Sequence, residues 1–236
     1  MTYVRFVKDF LRFRRLSPGR GGQRFPVLWK DRQARLRDRT VQSTFDRHYV
    51  YHTAWAMRAL AELRPPRHVD IGSSIYFCAL ASAFVPCEFY DYRPADLRLP
   101  DLRTGRADLL ALPFEGGSIV SLSCMHVVEH VGLGRYGDTL DPDGDLKACA
   151  ELSRVLAPGG SLLFVVPVGM PRLVFNAHRI YSRKQVLQAL PGLRLRSSAL
   201  VSARNDGDPL IPDPTPEAIA GERYGCGCFW FVKPAT

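Results

Sequence analysis

Long apolar runs are missing from this chain: none approaches the roughly 18 residues that a helix needs to span a bilayer. Charges interrupt the N-terminal segment every few residues, so it lacks the continuous apolar stretch of a secretory signal. The six cysteines lack the paired spacing that metal sites show, and Cys226 with Cys228 forms a Cys-x-Cys rather than a Cys-x-x-Cys. We therefore expect a cytoplasmic protein with free, buried thiols and no metal site.

Acidic residues are scarce in the first 39 positions, which hold 12 Lys and Arg against 3 Asp and Glu. The remaining residues hold 20 of each sign, so the net charge of +9 belongs to the N-terminal segment alone. The rest of the chain has no basic excess for binding nucleic acid, and we expect no nucleic-acid partner. We predict a basic helical extension over residues 1–40 and a second domain over residues 41–236.

Within the extension, Phe6, Phe10 and Phe13 recur at helical spacing among Arg and Lys residues, which predicts a helix over residues 3–16. A basic amphipathic helix with aromatic residues can lie on an anionic membrane surface. The alternative is that its Phe face packs on its own domain or on a second subunit, as in a homo-oligomer.

Helical and extended patterns alternate along the second domain. A helix is predicted from about residue 40 to residue 63, where two prolines follow. Strands are predicted over residues 67–71, 87–90, 119–124, 161–166, 193–202 and 227–232, with helices over residues 73–84, 145–156 and 182–190. A further strand is expected to end near residues 107–110. Strands that alternate with helices predict a parallel sheet with helices on both faces.

Acidic residues follow three of these strands, where open α/β sheets bind ligands. Asp70 and Gly72 lie in the turn after the first strand, Asp91 follows the second, and Asp108 lies near the end of the third. A Gly turn that leads into a helix presents backbone N–H groups to a ligand, and a carboxylate can accept from both hydroxyls of a ribose. A nicotinamide-binding enzyme would require a fuller Gly-x-Gly-x-x-Gly turn, and only one Gly follows Asp70.

The ordered series resembles class I S-adenosylmethionine-dependent methyltransferases over roughly residues 67–168. It comprises Asp70-Ile-Gly72, Asp91, Asp108-Leu-Leu-Ala-Leu-Pro-Phe114, Glu129-His130 and Pro158-Gly-Gly160. The resemblance implies an α/β, Rossmann-like fold with a seven-stranded, mainly parallel sheet and helices on both faces. It also implies S-adenosylmethionine as cofactor, bound by Asp70, Gly72, Ser73, Ser74, Asp91, Tyr92, Asp108, Leu109 and Cys124.

The chain departs from the family pattern at two places. Ser74 and Tyr76 stand where the Asp-x-Gly-x-Gly-x-Gly motif has its second and third Gly, and Val120 stands where many members carry Asp. These departures keep a second interpretation open, in which a non-catalytic member of the fold binds a glycan or a partner protein.

Two histidines follow the fourth strand directly, where an acceptor would meet the transferred methyl group. His126 and His130 are the predicted catalytic bases, because imidazole takes up a proton near neutral pH. The alternative is that a His in this place only bonds to the backbone. The polar, Gly-rich loop over residues 132–145 resembles a calcium loop superficially, but the bidentate acid would fall within a helix that Asp145 caps.

This loop and residues 176–181 resemble an uncharacterised methyltransferase-like family of nematodes and of bacterial gene clusters for surface polysaccharides. The resemblance covers about residues 120–182 and implies a sugar O-methyltransferase that acts in the cytoplasm, at the inner face of the membrane. A carbohydrate acceptor needs clustered hydrogen-bonding groups. The predicted acceptor-binding residues are Arg135, Tyr136, Asn176, His178, Arg179 and Tyr181. Arg179 and Tyr181 have an alternative role as anchors of the following helix.

Overall fold

The computed structural model describes residues 2–16, 25, 27–38, 41, 43–204 and 208–235. The chain forms two compact units, Met1–Phe45 and Asp46–Thr236. The predicted boundary after residue 40 falls on positions outside the described residues. In the first unit, helix α1 spans Tyr3–Leu16, and a short 3-10 helix spans Trp29–Asp31. The Phe10 ring meets the Trp29 ring edge-on at 5.0 Å. Among the described residues, no helix combines the length and the apolar character needed to cross a membrane.

The second unit is built on one large sheet. Its elements are α2 (Arg47–Leu63), β1 (His68–Ile71), α3 (Ile75–Ala81), β2 (Cys87–Asp91), β3 (Leu102–Arg106), β4 (Ile119–Met125), a 3-10 helix (Val128–His130), α4 (Gly144–Val155), β5 (Leu156–Val168), β6 (Arg172–Val174), β7 (His178–Ile180), α5 (Arg183–Ala189), β8 (Arg194–Val201), β9 (Leu210–Pro212), α6 (Pro216–Ala220) and β10 (Gly225–Val232). The strand order is β3-β2-β1-β4-β5-β10-β8-β9, and β6 with β7 forms a separate hairpin.

The pairing of strands confirms a mainly parallel α/β sheet. Strands β1 to β5 pair in parallel, whereas β10 and β8 join antiparallel at one side. The sheet has eight strands rather than the seven predicted, because the short β9 pairs with the edge strand β8. Such a short pairing carries little sequence pattern, which is why the prediction missed it.

Successive residues of the central strands alternate between two apolar cores, one on each face of the sheet. In β5, the buried Leu162 packs with the core under α4 and α5, and the buried Leu163 packs with the core under α2 and α3. This alternation follows from the two-residue period of a strand. Helices therefore cover both faces, as the sequence predicted.

Helix α2 begins later than predicted, at Arg47. The Asp46 side chain accepts a hydrogen bond from the Tyr49 backbone N–H at 3.1 Å, which caps the helix at this point.

In the sheet, the carboxyl ends of β1, β2 and β3 lie side by side. Ile71 pairs with Tyr90, and Asp91 pairs with Arg106. The loops that follow these strands are therefore gathered at one edge of the sheet.

Candidate functional site

A buried polar network lies behind the turn that follows β1. Asp70 is fully buried; its Oδ1 accepts from the Ser73 backbone N–H at 3.0 Å, and its Oδ2 accepts from the Ser123 hydroxyl. Burial raises the pKa of Asp70 to about 6, against the opposing effect of these hydrogen bonds. His68 lies between the hydroxyls of Ser121 and Ser123, each at 2.8 Å. The network holds the turn in place from beneath.

Gly72 forms the turn itself, with a backbone φ of +69° that favours glycine. A Cβ atom at this position would lie 3.1 Å and 3.2 Å from the two γ-methyl groups of Val127 and 3.7 Å from Oδ2 of Asp91. A side chain at this position would therefore crowd Val127 beside Asp91.

Two carboxylates stand beside this opening. Asp91 ends β2, and its Oδ1 accepts from the Arg93 backbone N–H at 2.7 Å. Asp108 follows β3, and its Oδ1 accepts from the Leu110 backbone N–H at 2.9 Å. These contacts fix each carboxylate with one oxygen, and the second oxygen of each group can accept from a ligand.

The turn, the two carboxylates and the residues after β4 enclose one cavity of about 280 Å³. Its lining is Ile71, Gly72, Asp91, Tyr92, Arg93, Ala107, Asp108, Leu109, Leu110, His126, Val127, His130, Val131, Tyr136, Asp138 and Thr139. The predicted cofactor residues divide into two groups. Gly72, Asp91, Tyr92, Asp108 and Leu109 line the cavity, whereas Asp70, Ser73, Ser74 and Cys124 lie outside its lining.

The second group supports the cavity from behind. The Ser73 hydroxyl accepts from the Met125 backbone N–H at 2.9 Å. Ser74 precedes the first residue of α3 and makes no side-chain cap. Cys124 is fully buried in the core, and burial raises the pKa of its thiol well above the usual value. Which of these residues touch a cofactor stays a prediction.

Both predicted bases line the cavity, with a buried glutamate between them. Nδ1 of His126 lies 2.9 Å from Oε1 of Glu129, and Nε2 of His130 lies 3.7 Å from the same oxygen. Nδ1 of His130 lies 2.6 Å from the Ala177 carbonyl oxygen. The contact with Glu129 requires a proton on Nδ1 of His126, so this ring keeps a lone pair on Nε2. Nδ1 of His130 also lies 3.2 Å from Nη1 of Arg135, which can only donate, so its contacts do not fix which nitrogen carries the proton. Nε2 of His126 and Oε2 of Glu129 are buried and have no hydrogen-bond partner among the described residues.

Sequence reasoning missed a group of aromatic rings that surrounds His126. The His48 ring stacks on it at a centroid distance of 5.7 Å, and the His52 ring meets it edge-on at 5.0 Å. Burial, together with the charge that His126 would carry, lowers the pKa of His48 to about 4 and that of His52 to about 3. Tyr224 stacks on His48 at 5.0 Å. The spacing of His48 and His52, four residues apart on one helix, was the available signal.

Asp138 holds the loop after His130 in place through hydrogen bonds to its backbone. Oδ2 of Asp138 accepts from the backbone N–H groups of Gly132 and Gly134, and Oδ1 accepts from that of Tyr136. Burial opposes ionisation of Asp138, but these donors hold its pKa below the usual value. The bend brings Tyr136 into the lining of the cavity. Arg135 lies against the Tyr136 ring at 5.0 Å and donates to the Ala177 carbonyl at 3.0 Å.

Arg135 and the four remaining predicted acceptor residues do not line this cavity. Arg179 donates to the carbonyl oxygens of Val131 and Pro142, and the Tyr181 hydroxyl donates to Asp145 at 3.0 Å. Both residues line a second depression. Their contacts join them to the loop before α4 and to Asp145 of α4 rather than to the following helix, and their role stays a prediction. Of the other two, Asn176 is exposed, and the His178 ring contacts the Tyr224 ring at a centroid distance of 5.0 Å.

Comparison with known families gives one partial match. Residues 118–195 match the model of a family described as Caenorhabditis protein of unknown function, DUF268. This range contains the stretch in which the sequence resembled a nematode family, so that resemblance is confirmed. No curated protein matches the chain.

Solved structures extend the likeness to most of the chain. A chain of the complex between the Haloferax volcanii Trm112 methyltransferase activator and the putative methyltransferase is 21% identical and has a TM-score of 0.55; the match covers 81% of this chain and 91% of that chain. The N-methyltransferase NodS from Bradyrhizobium japonicum, solved with S-adenosyl-L-homocysteine, is 14% identical and has a TM-score of 0.55, with 80% and 88% covered. The cyclase SpnF is 16% identical and has a TM-score of 0.52, with 77% and 82% covered. The chain therefore has the fold of class I S-adenosylmethionine-dependent methyltransferases.

Proposed function

We propose that this chain is an S-adenosylmethionine-dependent methyltransferase whose acceptor is a hydroxyl group of a carbohydrate. The observation that carries the proposal is the composition of one cavity. Its lining combines the Gly72 turn and the carboxylates of Asp91 and Asp108 with two histidines that follow β4. Ligands of open α/β sheets bind at this edge.

The first group of lining residues fits the cofactor. Gly72 lines the cavity without a side chain, Asp91 can accept from the ribose hydroxyls, and Asp108 can accept from the adenine amine. NodS, whose fold is similar, was solved with S-adenosyl-L-homocysteine, and this supports S-adenosylmethionine as the cofactor of the present chain. When bound, S-adenosylmethionine supplies an electrophilic methyl group on a sulfonium centre.

The second group fits the removal of the acceptor proton. With the cofactor bound, His126 or His130 would take the proton of the acceptor hydroxyl as its oxygen is methylated. Oε1 of Glu129, within 3.7 Å of both rings, would stabilise the resulting imidazolium. Tyr136, Asp138 and Thr139 supply further polar groups for a sugar.

Calorimetric titration with S-adenosylmethionine and S-adenosylhomocysteine tests cofactor binding. We expect micromolar binding to the unaltered chain and a loss of at least tenfold in Asp91→Ala. The matched control is Asp96→Ala, because Asp96 is an exposed acid that pairs with Arg98 at the surface and does not line the cavity. Equal affinity of the two variants for the cofactor would show that Asp91 does not contribute to its binding.

A screen of sugar acceptors with His130→Gln and His126→Gln tests the transfer. Loss of turnover with retained cofactor binding in either variant would identify the base. Unchanged turnover in both would contradict a histidine base.

The second candidate is a non-catalytic role in which the fold binds a glycan or a partner protein. The departures at Ser74, Tyr76 and Val120 favour it, and the cyclase SpnF illustrates that a likeness of fold does not define the reaction. A folded chain that binds neither form of the cofactor would support this candidate over the first.

The proposed setting is the cytoplasm, at the inner face of a membrane. Helix α1 carries the basic residues Arg14 and Arg15 in its last turn, and its Leu11 and Leu16 are exposed. Basic side chains beside exposed apolar ones suit an anionic lipid surface.

A further inference from the structure

Three potential metal ligands from distant parts of the sequence meet beside the cavity. His48 belongs to α2, His126 follows β4, and Cys226 belongs to β10. One ring nitrogen of each histidine and the Cys226 Sγ lie within 4.8 Å of one another. We propose that these residues, the His–Cys cluster, bind a zinc ion. The proposal goes beyond the methyltransferase function and does not depend on it.

One histidine of the cluster has a ring nitrogen held by an acceptor. Glu129 accepts from Nδ1 of His126 at 2.9 Å, and the His48 ring stacks on Tyr224. Histidine ligands of metals almost always donate their other N–H in this way, to a carboxylate or to a carbonyl. The contact with Glu129 places the His126 proton on Nδ1 and leaves Nε2 with its lone pair.

Unpartnered buried atoms give an independent indication of a ligand. The His126 side chain is only 5% exposed, and its Nε2 has no hydrogen-bond partner among the described residues. A buried polar atom without a partner costs free energy, because it has lost its hydrogen bonds to water and has formed none within the protein. Metal coordination would satisfy Nε2, which is the nitrogen that Glu129 leaves available.

The charges of the neighbourhood also suit a divalent cation. Glu129 is 1% exposed, and its Oε2 has no partner among the described residues. Buried charges are normally paired or placed near metals. A zinc ion with a Cys226 thiolate and the Glu129 carboxylate would make a neutral group.

Ligand type and number point to zinc in particular. Thiolate and imidazole are the ligands that Zn²⁺ prefers, at about 2.3 Å and 2.0 Å. Ligand atoms of a tetrahedral site are then about 3.5 Å apart, so the 4.8 Å separation must close by roughly 1 Å through side-chain rotation. Three protein ligands leave the fourth position open, as in catalytic zinc sites.

Metal binding would divide the roles of the two histidines. Nε2 of His126 cannot bind zinc and accept a proton at once. In the zinc-bound chain, His130 alone would therefore be the base. The open zinc position would be taken by water or by an acceptor hydroxyl.

Cobalt substitution tests the site directly. The full chain is freed of metal with a chelator and titrated with Co²⁺, then with Zn²⁺. We expect one ion per chain, the near-ultraviolet charge-transfer band of a thiolate–cobalt bond, the visible bands of tetrahedral cobalt, and the loss of all bands when Zn²⁺ replaces Co²⁺. Absence of the charge-transfer band in the unaltered chain would overturn the proposal, and this result does not rely on the folding of any variant.

Variants assign the ligands. Cys226→Ser should lose the charge-transfer band, His48→Gln and His126→Gln should weaken zinc binding at least tenfold, and Glu129→Gln should weaken it about 10- to 100-fold. The matched controls are Cys149→Ser, a buried cysteine of α4, and His178→Gln, a neighbouring histidine outside the cluster. Both should keep the unaltered spectrum and affinity. A Cys226→Ser variant that keeps the band would overturn the proposal.

Titration with S-adenosylhomocysteine on the same samples separates this proposal from the proposed function. Zinc binding without cofactor binding would support the metal site and remove the proposed methyl transfer. Cofactor binding without the charge-transfer band would overturn the metal site and support the proposed cofactor site.

Discussion

Replacing Gly72 by Ala tests whether the turn after β1 controls the cavity. At φ +69°, a residue with a Cβ costs about 1–2 kcal/mol relative to glycine. The added Cβ would also lie 3.1 Å and 3.2 Å from the γ-methyl groups of Val127, which must move by a few tenths of an ångström. We expect Gly72→Ala to lower the free energy of unfolding by about 1–3 kcal/mol and to weaken cofactor binding.

Gly159 offers a matched control for the backbone cost alone. Its φ is +74°, and nothing lies within 4 Å of the position that a Cβ would occupy. Gly159→Ala should lose about 1–2 kcal/mol in urea unfolding, from the left-handed conformation alone, and should bind S-adenosylhomocysteine as the unaltered chain does. Calorimetry compares the two variants. Equal cofactor affinity in both would refute the role of the Gly72 turn.

Three further predictions concern other parts of the chain. Burial lowers the pKa of His68 to about 3, against about 6.5 in an unfolded chain. As the pH falls, the unfolded state takes up this proton first, so the contribution of His68 to stability should drop from pH 6.5 downward, by about 2 kcal/mol at pH 5. Urea unfolding of His68→Asn should therefore show a smaller drop than the unaltered chain, by about that amount. Tyr181→Phe removes the hydrogen bond to Asp145 and should cost about 1 kcal/mol of stability, while weaker binding of cofactor or acceptor would contradict its role as an anchor. A chain without residues 2–16 should no longer sediment with anionic vesicles, and equal sedimentation of both chains would contradict the membrane proposal.

The fold was predictable because its signals are local. Continuous apolar segments, the turn at Gly72 and the Pro-Gly-Gly segment before the apolar part of β5 each define an element within a few residues. Helix α1 has the predicted bounds because its periodicity covers every turn. The start of α2 was less predictable, since it depends on one cap at Asp46 rather than on a pattern.

The candidate site was predictable only where it follows the order of the strands. Asp91 and Asp108 line the cavity because the carboxyl ends of parallel strands meet at one edge. The His–Cys cluster escaped sequence reasoning, since its members lie at positions 48, 126 and 226 and meet only through packing. Cys226 showed no metal spacing for the same reason: the nearest candidate ligands come from other elements.

The altered Gly turn does not by itself close the cavity. Gly72 is the motif position whose backbone favours glycine and where a Cβ would crowd Val127. Ser74, at φ −68°, has an ordinary backbone that any residue can adopt. The Tyr76 side chain is 79% exposed on α3 and does not enter the lining of the cavity. Since the two substituted positions neither strain the backbone nor fill the cavity, the departures at Ser74 and Tyr76 are compatible with the proposed cofactor site.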